Sequence, residues 1–309
     1  MALPSSSFAA PVRAWFVSLA RTGWGGRIFW LTLVGVTVLL LISGYTGLVS
    51  TGRDTLRLAS LGGLSGFAAT AVGALLALAL GAITSRTQDT MLGFAAGMML
   101  AASSFSLILP GIAAAKEAVS SPMLAAAVVV AGMALGVALM VGLDRFVPHE
   151  HEKSGRRGPE AKRFNRVWLF VLAITLHNLP EGMAIGVSFA TGDMKIGLPL
   201  TTAIAIQDIP EGLAVALALR VTGISAGRAA LIAAASGLME PLGAIIGLGI
   251  TNSFALGFPV AMGLAAGAMI FVVSHEVIPE THRNGHETPA TLGLMLGFGV
   301  MMFLDTALG

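Results

Sequence analysis

Two hexads stand out for the chemistry their residues could do: His177-Asn178-Leu179-Pro180-Glu181-Gly182 and Gln207-Asp208-Ile209-Pro210-Glu211-Gly212. Each opens on a side chain able to ligate a metal and carries a carboxylate four residues later. That spacing puts the two on one helix face. The second position, Asn178 or Asp208, lies about 100° around the helix. The fourth position is proline, which lacks an N–H and crowds the carbonyl of residue i−4. Those carbonyls belong to Leu176 and Ile206, so each helix is expected to kink and turn polar backbone toward a cavity. Glu181, Asp208, Glu211 and the isolated Glu240 all fall in apolar surroundings. At the centre of a bilayer each such acid costs a few kcal/mol. One of them could be a packing residue. Four of them without a buried Lys or Arg must be protonated, reached by water, or visited by cations, and a divalent ion offsets repulsion and desolvation together. Imidazole, carboxylate and amide donors suit zinc, iron, manganese or cobalt better than magnesium or calcium. His177, Glu181, Gln207 and Glu211 could form one position, and Asn178, Asp208 and Glu240 a second, with Glu181 and Glu211 bridging. Two metals sharing carboxylates sit roughly 3.5–4 Å apart. The neutral donors Asn178 and Gln207 should hold an ion less tightly than a structural cage does, and a carrier requires its ion to leave.

The elements that must position these residues are membrane helices. Of 309 residues, 55% are hydrophobic and 11% charged, against about 25% charged in a soluble domain. A run of about 20 apolar residues spans a bilayer, and hydropathy predicts nine such helices at 28–50, 60–84, 90–114, 121–145, 167–189, 198–219, 228–252, 256–280 and 289–309. The first run is too long for a signal peptide and lacks an A-x-A cleavage pattern. Charge sets the orientation. With residues 1–27 in the cytoplasm, only Arg53, Arg57, Lys116 and Lys195 of the 18 Lys and Arg fall on the far side, as the positive-inside rule demands. The C-terminus then lies outside. The basic loop 146–166, with His149-Glu150-His151-Glu152, is cytoplasmic and reads as a solvated linker or a weak metal-collecting tract. The absence of cysteine excludes disulfides, thiolate zinc sites and cysteine nucleophiles. The modest net charge of +2 gives no reason to expect nucleic acid as a partner. Membrane lipid is expected as one, and abundant Gly and Ala faces permit a homodimer.

An internal repeat appears at an offset of 170 residues. Gly93, Ala95, Ala96, Gly97 and Met99 match Gly263, Ala265, Ala266, Gly267 and Met269, and Gly73-Ala74 matches Gly243-Ala244. Five predicted spans separate the copies, an odd number, so the second copy is expected to be inverted. Inverted repeats with a midplane site at their interface characterise secondary transporters.

The hexads, together with Glu240-Pro241-Leu242-Gly243 and the run Ser274-His275-Glu276-Val277-Ile278-Pro279-Glu280, resemble the ZIP (Zrt-/Irt-like) metal transporters, specifically their bacterial GufA-like branch. The likeness covers residues 60–309. It implies an all-α polytopic membrane protein: eight core helices in a 3+2+3 inverted-repeat bundle, to which helix 28–50 is an N-terminal addition, in a bacterial inner membrane. It also implies import of zinc, with cadmium, iron and manganese as further candidate substrates and no organic cofactor. His177, Asn178, Glu181, Asp208, Glu211 and Glu240 match the family's metal ligands, whereas Gln207 stands where many members have histidine. Near the cytoplasmic end of helix 256–280, His275 and Glu276 are candidates for an exit route. The repeat pairs Phe105-Ser106 with His275-Glu276, so Ser106 and Met99 are candidates for the entrance. As a soft thioether, Met99 would favour cadmium or copper(I). Asp89, Asp144 and Asp305 lie near helix ends, where solvation suffices. Two alternatives stand beside a carrier. An intramembrane zinc metalloenzyme needs an HExxH helix, which neither His275-Glu276 nor His149-Glu150 provides. A passive channel could use the same ligands.

Overall fold

The computed structural model describes residues 52–80, 83–146, 149–151, 155–157, 166–221, 223–251 and 254–308; the side chains of 80, 143–174, 176, 177, 221 and 308 lie outside that description. The expected helix 28–50 and the segment 1–27 fall outside the described residues, as do the side chains of the His149–Glu152 tract, Asp144 and His177.

Eight helices follow one another among the described residues, close to the hydropathy reading: α1 Arg53–Leu80, α2 Ser85–Ala118, α3 Pro122–Phe146, α4 Arg166–Ser188, α5 Met194–Val221, α6 Ala226–Thr251, α7 Gly257–Thr281 and α8 Glu287–Leu308. The polar loop between α3 and α4 adds a minimal antiparallel ladder, β1 His149–His151 on β2 Gly155–Arg157. Seven of the helices are long and apolar enough to cross a membrane. Their exposed flanks are apolar too. Met123, Val130 and Leu135 on α3 and Leu292, Met295, Leu296 and Phe303 on α8 all face outward, a belt that hydrocarbon tolerates and water does not.

Three departures from regular helix bear on function. α6 was expected to be one continuous helix over 228–252. It is instead interrupted at Gly237–Leu238, with halves Ala226–Ser236 and Met239–Thr251. α2 and α7 each widen into a π-helical turn, at Ser103–Ile108 and Val273–Val277. In those turns Leu109 N–H bonds to the Ser104 carbonyl and Ile278 N–H to that of Val273. Such turns gather at functional sites.

Packing sorts the helices into two sets. α1 lies along α5, the second half of α6 along α4, and α1 against α6; α2 lies along α8 and α7 along α3. Glycine permits each close approach. A Cβ at Gly73 of α1 would strike the Ile209 carbonyl of α5, and one at Gly243 of α6 the Leu179 carbonyl of α4. Gly97 of α2 likewise abuts the Leu294 carbonyl of α8, and Gly267 of α7 that of Met133 on α3. Gly73 and Gly243, like Gly97 and Gly267, are the residues matched at the 170-residue offset, and Leu179 and Ile209 occupy the same hexad position. The packing of one half of the chain therefore recurs in the other. The two sets cut across the repeat, since both members of each matched helix pair fall within the same set.

Candidate metal centre

α4 and α5 remain α-helical through Pro180 and Pro210. The one interruption of helix near the hexads among the described residues lies on α6, at Gly237–Leu238, just before Glu240. Gly182, the last residue of the first hexad, has no side chain to keep α6 away. A Cβ there would overlap the backbone of Glu240. Gly212 does the same for the second hexad, against the Thr70 carbonyl of α1. Hexad position six is thus explained by helix contact, and it delivers Glu240 to the carboxylates at position five. Glu240 sits in the first turn of the second half of α6, where the positive end of the helix dipole favours an anion.

One carboxylate oxygen from each of Glu181, Asp208 and Glu211 lies within 4.8 Å of the others, a grouping able to hold a metal ion. Glu181 is 1% exposed, Asp208 2% and Glu240 0%, so their charge has no outlet to bulk water. Among the described residues no Lys or Arg pairs with these three. The amide of Gln207 is oriented by Glu181: its Nε2 donates to Glu181 Oε1 at 2.6 Å. This leaves Gln207 Oε1, a metal-ligand type of atom, buried with no hydrogen-bond partner among the described residues. The same holds for Asp208 Oδ2 and Glu240 Oε2, which face a common space next to Gly66 on α1. Buried polar atoms normally find partners. Asp208 Oδ2 and Glu240 Oε2, two acceptor oxygens drawn together beside Gly66, are chemically suited to sharing a cation. Asn178 is buried on α4. The helix carries His177 at the adjoining position, with its side chain outside the described residues.

The secondary candidates are placed apart from this cluster. His275 and Glu276 both lie on the π-helical turn of α7, but they diverge. His275 is exposed and its ring stacks on Phe271 with centroids 5.0 Å apart, while Glu276 is buried. Neither belongs to the Glu181–Asp208–Glu211 group. Met99 is 1% exposed in the main apolar core. Ser106 is buried and its hydroxyl donates to Asp305 Oδ1 at 2.6 Å.

Asp89 corrects the reading of solvated helix ends. It is buried, accepting from Asn284 Nδ2 at 2.9 Å and lying 2.8 Å from His286 Nδ1. The partners come from the α7–α8 connection, which lies 195 or more residues away in the chain and was invisible to local pattern. Sequence reasoning also missed Gly66 and Thr70, through which α1 reaches the cluster. Thr70 Oγ1 donates to Glu240 Oε1 at 2.8 Å. One signal could have found it: Thr70 is the residue that the 170-residue offset matches to Glu240.

Comparison with known proteins agrees with this architecture. The family model described as "ZIP Zinc transporter" matches residues 147–305. The chain is 70% identical to the zinc transporter ZIPB of Bordetella bronchiseptica over 89% of each chain. It is 43% identical to the zinc transporter GufA of Myxococcus xanthus, over 78% of this chain and 95% of that one. It is 31% identical to the human zinc transporter ZIP11, over 84% of this chain and 99% of that one.

Proposed function

The chain is a multi-pass membrane protein of the ZIP zinc-transporter family, and from that premise we propose that it carries zinc into the cytoplasm through paired positions between α4, α5 and α6. The observation that carries the reading is the convergence of Glu181, Asp208 and Glu211 within 4.8 Å, the first two buried and Glu211 partly so. Like charges so placed repel, and a divalent ion turns that repulsion into binding. His177, Glu181, Gln207 and Glu211 hold the first ion. Asn178, Asp208 and Glu240 hold the second, with Glu181 and Glu211 shared. Gln207 contributes through Oε1 while its Nε2 stays on Glu181. Cadmium, iron and manganese would fit the same donors less selectively.

The repeated glycine contacts, with an odd number of spans between the copies, support an inverted 3+2+3 arrangement of the eight helices. The Lys and Arg distribution supports a cytoplasmic N-terminus and an outer C-terminus, and the bacterial relatives support a bacterial inner membrane. The packing sets suggest what moves. The set α1, α4, α5 and α6 contains every ligand of the paired positions, and α2, α3, α7 and α8 contain none of those. Alternating access then slides the ligand-bearing set against the other, carrying the ion with it, and the moving unit is not one repeat against its mate. Ser106 with Asp305 lies toward the outer entrance, and Glu276 toward the cytoplasmic exit. The family carries zinc and is not enzymatic, so the metalloenzyme alternative falls away.

The test is zinc uptake into proteoliposomes by the wild type and by His177→Ala and Glu211→Ala. Saturable uptake by the wild type, lost in both variants, is expected. Uptake by Glu211→Ala equal to wild type would refute the assignment. Flux that failed to saturate would favour a channel.

A further inference from the structure

The proposed ligands all come from α4, α5 and α6, yet α1 forms a wall of the same space with two positions four residues apart, Gly66 and Thr70. Gly66 leaves room. A Cβ there would overlap Glu240 Oε2 and stand 3.3 Å from Asp208 Oδ2. Thr70 holds. Its hydroxyl, in a side chain 5% exposed, lies 2.8 Å from Glu240 Oε1 and 3.3 Å from the Gly66 carbonyl. A hydroxyl has one proton, and the shorter contact to an ionisable acceptor is the stronger bond, so the proton goes to Glu240. Oε1 is thereby committed. Oε2 lacks a hydrogen-bond partner among the described residues and faces Asp208 Oδ2. Thr70 and Glu240 are matched at the 170-residue offset, so the position mated to a carboxylate carries a hydroxyl that restrains that carboxylate.

We propose that Thr70 is a positioning and specificity-determining residue: by occupying Oε1 it presents Glu240 to the second ion through Oε2 alone. The inference rests on the zinc-carrier reading above. A carboxylate bound through one oxygen suits zinc, which is satisfied by about four donors. A carboxylate bound through both oxygens suits larger ions that take about six to eight. Without the hydroxyl, Oε1 loses its donor and turns to the ion. The second position gains a donor and shifts toward larger ions such as cadmium.

The experiment measures uptake of zinc alone and of cadmium alone into proteoliposomes, and reads the ratio of the two kcat/KM values within each preparation. That ratio does not depend on how much protein has folded. Thr70→Val and Thr70→Ala, which lack the hydroxyl, are expected to raise the cadmium-to-zinc ratio about tenfold, the equivalent of one hydrogen bond to a charged group. Thr70→Ser, which keeps the donor, retains the wild-type ratio. In a Glu240→Gln background Thr70→Val no longer shifts the ratio, because it acts only through that carboxylate. An unchanged ratio in Thr70→Val and Thr70→Ala overturns the proposal. So does a shift of equal size in the Glu240→Gln background. Loss of all uptake in both variants beside an active Thr70→Ser also overturns it, since a positioning role leaves the remaining ligands working. A wild type that moved no zinc would instead sink the carrier reading itself.

Discussion

Replacing Gly66 by alanine separates the metal centre from the packing that surrounds it. The new Cβ would overlap Glu240 Oε2, the far end of a flexible side chain, with no backbone atom among its nearest neighbours. The helices can stay where they are while the carboxylate must move. Displacement breaks the 2.8 Å bond from Thr70, a charge-assisted contact of about 1.5–3 kcal/mol, and withdraws Oε2 from the space it shares with Asp208. At about 1.4 kcal/mol per tenfold, zinc kcat/KM should fall by roughly 10- to 100-fold. Stability should not fall, because alanine is favoured over glycine inside a helix by about 1 kcal/mol. The control is Gly73→Ala, about two turns further along the same face of α1. Its Cβ would strike the Ile209 carbonyl of α5, a backbone atom that cannot step aside, and overpacking of this kind costs about 1–3 kcal/mol. Uptake into proteoliposomes and thermal unfolding in detergent, measured on the same preparations, distinguish the two. Gly66→Ala should lose transport and keep its melting temperature, and Gly73→Ala should lose melting temperature. Undiminished zinc uptake by Gly66→Ala, or a lowered melting temperature with full uptake, would refute the reasoning.

Gln207→His should keep a donor for Glu181 and replace an amide oxygen by a stronger zinc ligand; KM and kcat for zinc should then fall together, and a rise in both would count against Gln207 as a ligand. Asp89→Ala removes the acceptor shared by Asn284 and His286. Stability should drop by about 1–3 kcal/mol, read as a lower unfolding midpoint in detergent, and an unchanged midpoint would show that the cluster holds nothing together. The chain has no cysteine, so a single introduced pair can join α5 to α2, which pack across the boundary between the two helix sets. Oxidising that pair should stop zinc uptake and reducing it should restore uptake; flux through the oxidised protein would rule out sliding of the sets.

Much of the protein was legible in one dimension. Membrane helices announce themselves because each must be apolar over most of its length, and the described spans match the hydropathy reading within a few residues, except that α1 begins at Arg53, ahead of the expected 60. The acids of the candidate centre were legible because acids are so costly at that depth that Glu181, Asp208, Glu211 and Glu240 stand out by type alone, and i,i+4 spacing within a helix is a local property. What resisted was set by contacts between helices. The interruption at Gly237–Leu238 follows residues as small and apolar as their neighbours. The prolines, where kinks were expected, are carried within continuous helices. Asp89 looks solvated until a loop 195 residues away closes over it. His275 and Glu276 are adjacent in the chain yet one is exposed and the other buried, since a π-helical turn and the packing around it decide which side chain faces in. Residue types and periodicity thus determined the membrane setting and the set of candidate ligands, because both follow from transfer energies of single side chains. Only the tertiary structure decided that α1 lines the centre and that the helix sets cut across the repeat, because those depend on which backbones glycine allows to touch.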